Sequence, residues 1–209
     1  MNMAQQWPAT VKDSCGQFFG TALRAANPGV PTNAQVLEIG SAEWDWLTHA
    51  SAAWPEMTFT GIDWRAYKPK PLRTTTIKGD VLTHAFEKRS FDWVCLVSTL
   101  EHIGLGHYDL DPIDEDGDSK TVNRIWKWLK PGGWLYFDVP YNHRYEVVKT
   151  SHRIYDDAAV ESRLRQGRWR EHWRGVVGKG ETSRLLTKTP ALGGGESFYY
   201  LGCWWQKAE

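Results

Sequence analysis

A chain of 209 residues suffices for one well-buried domain and is short for two. Its 25 basic residues balance 25 acidic ones, so no global field draws it to nucleic acid or anionic lipid, and 41% hydrophobic content is ordinary for a globular protein. Cys15, Cys95 and Cys203 form no zinc spacing, and no apolar run reaches the roughly 18 residues of a spanning helix.

Met1 to Pro8 lacks the basic and apolar order of a secretory leader, so the expected compartment is the cytoplasm. Lys12 to Ala26 reads as an amphipathic helix with Phe18, Phe19, Ala22, Leu23 and Ala26 at helical spacing, stopped by Asn27-Pro28-Gly29. Val36 to Gly40 is a short strand running into glycine, and Asp45 to Ala53 a helix closed by Trp54-Pro55. Phe59 to Asp63 is a second strand, followed by the proline-rich loop Tyr67 to Leu72. Thr74 to Lys78 is a β-branched third strand leading to Gly79-Asp80. Phe91 to Ser98 is almost wholly apolar, as a central strand covered on both faces requires, and Cys95 within it reads as core. Ser119 to Leu129 places Val122, Ile125, Trp126 and Leu129 on one helical face, and Lys130-Pro131-Gly132-Gly133 ends it. Trp134 to Val139 is a fifth strand.

Beyond this come a helix at Asp156 to Leu164, a strand at Trp169 to Val177 and a loop at Gly178 to Gly195 with a short extended piece at Arg184 to Thr187. Ser197 to Trp205 closes the chain as an aromatic, antiparallel strand. The alternation predicts a Rossmann-like, doubly wound α/β fold with a mostly parallel sheet and helices on both faces. One domain is expected: a helical extension over 1–35, a ligand-binding core over 36–140 and a substrate-side elaboration over 141–209. The 13 tryptophans are read mainly as packing.

In such a sheet, ligands bind beyond the carboxyl ends of the strands, where the strand order reverses. Four marks fall at those ends: Glu38-Ile39-Gly40, Asp63, Asp80, and Ser98 with Glu101-His102. A glycine directly after a strand lets backbone approach a ligand, an aspartate on the next strand can accept both hydroxyls of a ribose, and a third mark reaches toward an adenine. That ordered set points to a nucleoside.

The order resembles the class I S-adenosylmethionine-dependent methyltransferases across VLEIGSAEW (36–44), Asp63, Asp80, FDWVCLVSTLEHI (91–103) and LKPGGWLYFDVP (129–140). The resemblance implies S-adenosylmethionine as cofactor, with Glu38, Gly40, Ser41, Ala42 and Trp44 around its methionine moiety. Asp63 would take the ribose and Asp80 the adenine, with Trp64, Val81, Ser98 and Thr99 as further cofactor contacts. Ala42 and Trp44 depart from the family's G-x-G-x-G pattern, and the ring of Trp44 either narrows the pocket or stacks on the cofactor. The activity implied is methyl transfer to oxygen or nitrogen of a small acceptor, sugar-like or anionic in character. The alternative is a non-catalytic nucleoside-binding or assembly module. A nicotinamide enzyme needs G-x-G-x-x-G after the first strand, which Gly40-Ser41-Ala42 does not supply.

From Ser98 to Tyr155 the chain resembles a small family of uncharacterised methyltransferase-like proteins first catalogued in nematodes. The shared pieces are Glu101-His102 with Gly104-Leu105-Gly106, Asp111-Pro112-Ile113-Asp114 with Gly117-Asp118, and His152-Arg153-Ile154-Tyr155. A histidine over the sheet edge suits a general base, so His102 is the first catalytic candidate, with packing as the other reading. His152 and Tyr155 are further candidates, set against a structural clamp on the acidic loop. Asp114-x-Asp116-x-Asp118 resembles the opening of a calcium loop, but Ser119 and Ile125 stand where that loop has Gly and Glu. No metal is therefore expected, and Asp118 or Ser119 is read as a helix N-cap. The run Arg163, Arg165, Arg168, Arg170 and Arg174, with Trp169 and Trp173, is read as a charged face whose tryptophans turn inward. Expected partners are a small-molecule acceptor, with neither nucleic acid nor membrane.

Overall fold

The apolar runs of the first half become five parallel strands: β1 (Gln35–Ile39), β2 (Thr58–Asp63), β3 (Thr74–Lys78), β4 (Phe91–Leu96) and β5 (Leu129–Tyr141). A hairpin of β6 (Glu146–Val148) and β7 (His152–Ile154) follows, then β8 (Trp169–Val177) and β9 (Tyr199–Lys207). The computed structural model describes residues 3–8, 14–40, 42, 46–65, 74–106, 113–178, 185–186 and 199–208. The main sheet runs β3-β2-β1-β4-β5-β9-β8, with β9 antiparallel to both neighbours. Strand order reverses between β1 and β4, which opens a crevice at their carboxyl ends.

Helices cover both faces: α1 (Met3–Gln6), α2 (Ser14–Ala26), α3 (Trp46–Ala53), α4 (Gly117–Trp128) and α5 (Asp157–Ala159). On one face Leu37, Ile39, Val94 and Leu96 pack with Val122, Ile125 and Trp128 of α4. On the other, Val36, Trp93 and Cys95 pack with Phe19 of α2, Trp46 of α3, Trp54 and Trp204. Much of the tryptophan excess lies in this second layer. Trp46 and Trp93 meet edge to face at 5.3 Å between centroids, an arrangement that aligns ring edge with π-face. Among the described residues no helix is long and apolar enough to cross a membrane.

Several boundaries differ from the sequence expectation. β5 begins at Leu129 rather than Trp134, because Leu129 pairs with Phe91 before a register shift carries the strand past Pro131-Gly132-Gly133. The helix expected over Asp156 to Leu164 has only three α-helical residues. Val160 to Arg165 then winds wider as a π-turn, with Gln166 N–H donating to Glu161 O at 2.8 Å. The β6–β7 hairpin was not expected, since three-residue strands carry no readable period. α4 is preceded by Asp116, whose side chain makes no capping bond, and Asp118 lies buried within its first turn. The loop Tyr67 to Leu72 lies outside the described residues. So does most of Gly178 to Gly195, where Leu185 bridges Val177 and Leu186 N–H donates to Val176 O.

Candidate functional site

The crevice between β1 and β4 is built on Gly40. Its φ of +89° belongs to the left-handed region, and a Cβ there would lie 2.2 Å from the Thr99 side chain, so only glycine fits. Gly40 N–H donates to Ile62 O, and Ala42 N–H donates to Asp63 Oδ2 at 2.9 Å. The first loop is thus tied to the end of β2 and packed on the loop after β4. Glu38 is buried at the end of β1, beside Gly61 of β2 and Cys95 of β4. Ser41 and Trp44 lie outside the described residues.

Asp63 is buried at the tip of β2, and four donors meet its carboxylate. Oδ1 accepts Arg65 N–H (2.8 Å) and Nε–H (2.9 Å), while Oδ2 accepts Ala42 N–H and Arg65 Nη2–H (2.9 Å). The Arg65 side chain is 22% exposed, against 3% for that of Asp63, and its fork caps the carboxylate. Trp64 beside it is half-buried. Gly79 N–H donates to Asp63 O, which brings the end of β3 to the same rim. The Asp80 carboxylate, however, turns to its own loop, accepting Leu82 N–H at 2.8 Å and Thr83 Oγ–H at 3.3 Å. Asp80 also lines a cleft of about 770 Å³ together with Asp114, Lys120 and Arg124. Val81 packs into the core. Asp63 and Asp80 share a rim, but their carboxylates have separate partners.

The loop after β4 holds a second cluster that sequence reasoning largely missed. Ser98 sits at φ +46°, a conformation that is uncommon for a residue with a side chain. From there its N–H donates to Asp138 Oδ1 at 2.8 Å and its hydroxyl to Glu101 Oε1 at 3.1 Å. Tyr136 donates its hydroxyl to Asp138 Oδ2 at 2.9 Å. Both carboxyl groups are buried. Burial pushes the Glu101 pKa up to about 7, against the pull of hydrogen bonds from backbone and Ser98 and of the Arg153 charge. Burial, and after it the Glu101 charge, pushes Asp138 up to about 8. Among the described residues Glu101 Oε2 has no hydrogen-bond partner. The signal for Asp138 was a lone carboxylate inside the apolar run Trp134 to Val139, which was read only as strand.

His102 Nδ1 lies 2.6 Å from Ser151 O, and a carbonyl can only accept, so Nδ1 carries the proton. Nε2 then faces Glu101 Oε1 at 3.7 Å. His152 approaches Ser151 Oγ through Nδ1 (3.0 Å), and its ring centroid is 6.2 Å from that of His102. Tyr155 is fully buried and donates its hydroxyl to Asp118 Oδ2 at 2.8 Å, which commits it to the wall of the clamp described next.

The EH-GLG, acidic-loop and HRIY segments interlock around Arg153. This fully buried guanidinium donates to Glu101 O and Ile103 O through Nη1, and to Glu115 O through Nη2. It pins together both ends of the acidic loop. Gly104, at φ +79°, stands where a Cβ would lie 2.2 Å from Asp114 O, so the loop closes directly on the turn. Arg163 grips Asp118 through Nε and Nη2 (3.0 and 2.8 Å). Asp118 is thus a buried anchor instead of an N-cap. The arginine run is similarly occupied, with Arg165 on Glu161 and Arg174 on Glu171 and Asp157, while Trp169 is buried. Among the described residues no three His, Cys, Asp or Glu side chains are grouped to hold a metal ion.

None of the curated proteins matches the sequence. Residues 74–167, less than half of the chain, match the family described as "Caenorhabditis protein of unknown function, DUF268". That stretch contains the interlocked segments. Among solved structures, a Burkholderia thailandensis 1,6-didemethyltoxoflavin-N1-methyltransferase with bound 1,6-didemethyltoxoflavin and S-adenosylhomocysteine superposes with a TM-score of 0.65, covering 96% of this chain and 80% of that one at 15% identity. The fold is a Rossmann-like methyltransferase fold. The N-methyltransferase NodS from Bradyrhizobium japonicum, in complex with S-adenosylhomocysteine, gives 0.59 over 100% of this chain and 95% of its own, at 14% identity. A Haemonchus contortus phosphoethanolamine N-methyltransferase 2, in complex with phosphomonomethylethanolamine and S-adenosylhomocysteine, gives 0.62 over 100% of this chain and 61% of its own, at 14% identity.

Proposed function

We propose that this protein is an S-adenosylmethionine-dependent methyltransferase acting on nitrogen or oxygen of a small acceptor. The observation that carries the reading is the joining of three strand ends at the switch point. Gly40 is packed on Thr99 while Ala42 is bonded to Asp63, so a tight loop, a buried acid and the loop after β4 form one cradle. A cradle a Cβ would fill, with a carboxylate at its end, fits a nucleoside with a short tail. Asp63 would take the ribose hydroxyls once Arg65 swings outward, and Gly40, Ala42 and Thr99 would line the methionine part. Glu38, Ser41, Trp44, Trp64, Asp80, Val81 and Ser98 are retained as further cofactor contacts.

When bound, the cofactor supplies an electrophilic methyl group on a sulfonium centre. The chain's own contribution is alignment, exclusion of water and a place for a proton. His102 Nε2 and the Glu101 carboxyl stand together beside Ser98 for that last task, with His152 next to them. Tyr155 and Arg153 act by holding this segment in place.

One observation favours the second reading, a non-catalytic nucleoside-binding or assembly module: the Arg65 fork fills the carboxylate on which a ribose would sit. Calorimetric titration with S-adenosylhomocysteine separates the two. Methyl transfer expects saturable binding, and Asp63→Ala should weaken it by about 1.5–3 kcal/mol, the worth of hydrogen bonds to a charged group. Absence of binding by the folded wild type at millimolar ligand would favour the assembly module.

A further inference from the structure

We infer that the acceptor is an amine, held as its ammonium form by the buried carboxylates of Glu101 and Asp138; this deepens the methyl-transfer reading and rests on it. Ser98 joins the pair, bonding Asp138 through its N–H and Glu101 through its hydroxyl, and the next residue, Thr99, packs on Gly40. The carboxylates therefore stand one residue from the cradle, where an acceptor must meet the methyl group.

Charge decides the class of acceptor. Two carboxyl groups share a buried site, and among the described residues the cations near them have other partners as well. Arg153 donates through Nη1 and Nη2 to the carbonyls of Glu101, Ile103 and Glu115, with Nε 3.6 Å from Asp118 Oδ2, and His102 directs Nδ1 to Ser151. Among the described residues the groups facing Asp138 are Ser98, Tyr136, Cys95, Tyr200 and Glu101, none of them cationic. Burying like charges is costly; the Arg153 charge offsets that cost in part at Glu101 but not at Asp138, and an anionic or neutral acceptor would leave the cost at Asp138 in place. An ammonium group removes it. Size agrees: Asp138 and Tyr200, with Ser14, Cys15 and Phe18 of α2, line a cavity of about 10 Å³, the room that one water molecule takes. An –NH3⁺ head is a group of that size. Glu101 is not among the residues lining that cavity; its Oε2, without a hydrogen-bond partner among the described residues, is a further acceptor for such a head.

The same pair readies the nitrogen. An N–H bond breaks, its electrons stay on nitrogen as the lone pair, and the proton passes to a carboxylate oxygen. Because burial keeps both carboxyls partly protonated near neutrality, an arriving ammonium lowers their proton affinity and expels a proton.

The test is calorimetry on the full chain with n-butylamine and n-butanol as isosteric probes, in two buffers of unequal ionisation enthalpy, beside a titration with S-adenosylhomocysteine. Butylamine should bind with net proton release while butanol gives neither heat nor release. Glu101→Gln should weaken butylamine about tenfold or more and reduce the release to the share of Asp138, leaving S-adenosylhomocysteine affinity unchanged. Asp138→Asn, a separate isosteric change, should weaken butylamine likewise and reduce the release to the share of Glu101 if the first variant fails to fold. Equal binding of the two probes, or amine binding without proton release, would overturn the amine assignment even while S-adenosylhomocysteine binds. Butylamine binding without any for S-adenosylhomocysteine would instead overturn the methyl-transfer reading.

Discussion

At Glu101 and Asp138 the proposed chemistry and the stability of the fold pull in opposite directions. Their folded pKa values, about 7 and about 8, stand above the ordinary 4.5 and 3.8. Below the ordinary values both groups are protonated in folded and unfolded chains alike. Between the ordinary and raised values the unfolded chain has shed protons that the folded chain keeps, so stability falls with rising pH. The loss runs from about 4.5 to about 7 for Glu101 and from about 3.8 to about 8 for Asp138. Thermal melts across this window should therefore show the wild type losing more stability than Glu101→Gln, at about 2–4 °C for each kcal/mol. Parallel profiles would mean that the Glu101 carboxyl is not proton-coupled to folding. The sequence displayed Glu101 in a motif but hid Asp138. A carboxylate in a strand announces its burial only when its neighbours in space are known, and those are Ser98 and Tyr136.

At the level of elements, the β6–β7 hairpin serves to fix the segment after β4. Arg153 N–H donates to Glu101 O, Ser151 O accepts a hydrogen bond from His102 Nδ1–H, and the Arg153 guanidinium ties Ile103 to Glu115. Lysine cannot replace this fork, since one ammonium nitrogen would have to reach the three carbonyls that Arg153 reaches from two. Arg153→Ala should cost about 3–5 kcal/mol in urea unfolding, because it strands buried acceptors and removes a charge facing Asp118. Arg163→Ala, on the half-exposed side of Asp118, should cost distinctly less; equal losses would disprove the central place given to Arg153. The HRIY segment was legible as a clamp candidate, yet its partners were not, since they lie 38 to 52 residues away in sequence. The strands of the first half were legible because a sheet covered on both faces demands continuous apolar runs, as in Phe91 to Leu96. The π-turn at Val160–Arg165 was not, because apolar spacing alone does not separate an i+4 from an i+5 ladder.

Across the whole molecule, the strand order places Gly40, Asp63 and Ser98 at one rim, and two apolar layers lock that order. The sequence foretold the rim through glycine and acids at strand ends. What it did not foretell is how the side chains there are occupied: Asp63 by Arg65, and Asp80 by its own turn. On the proposed function, this rim is a nucleoside cradle with a displaceable arginine. A co-crystal structure with S-adenosylhomocysteine tests it most directly. Ribose hydroxyls should lie within hydrogen-bonding distance of the Asp63 carboxylate, with the Arg65 guanidinium turned out to solvent. A ligand bound elsewhere, with Arg65 still seated on Asp63, would contradict it.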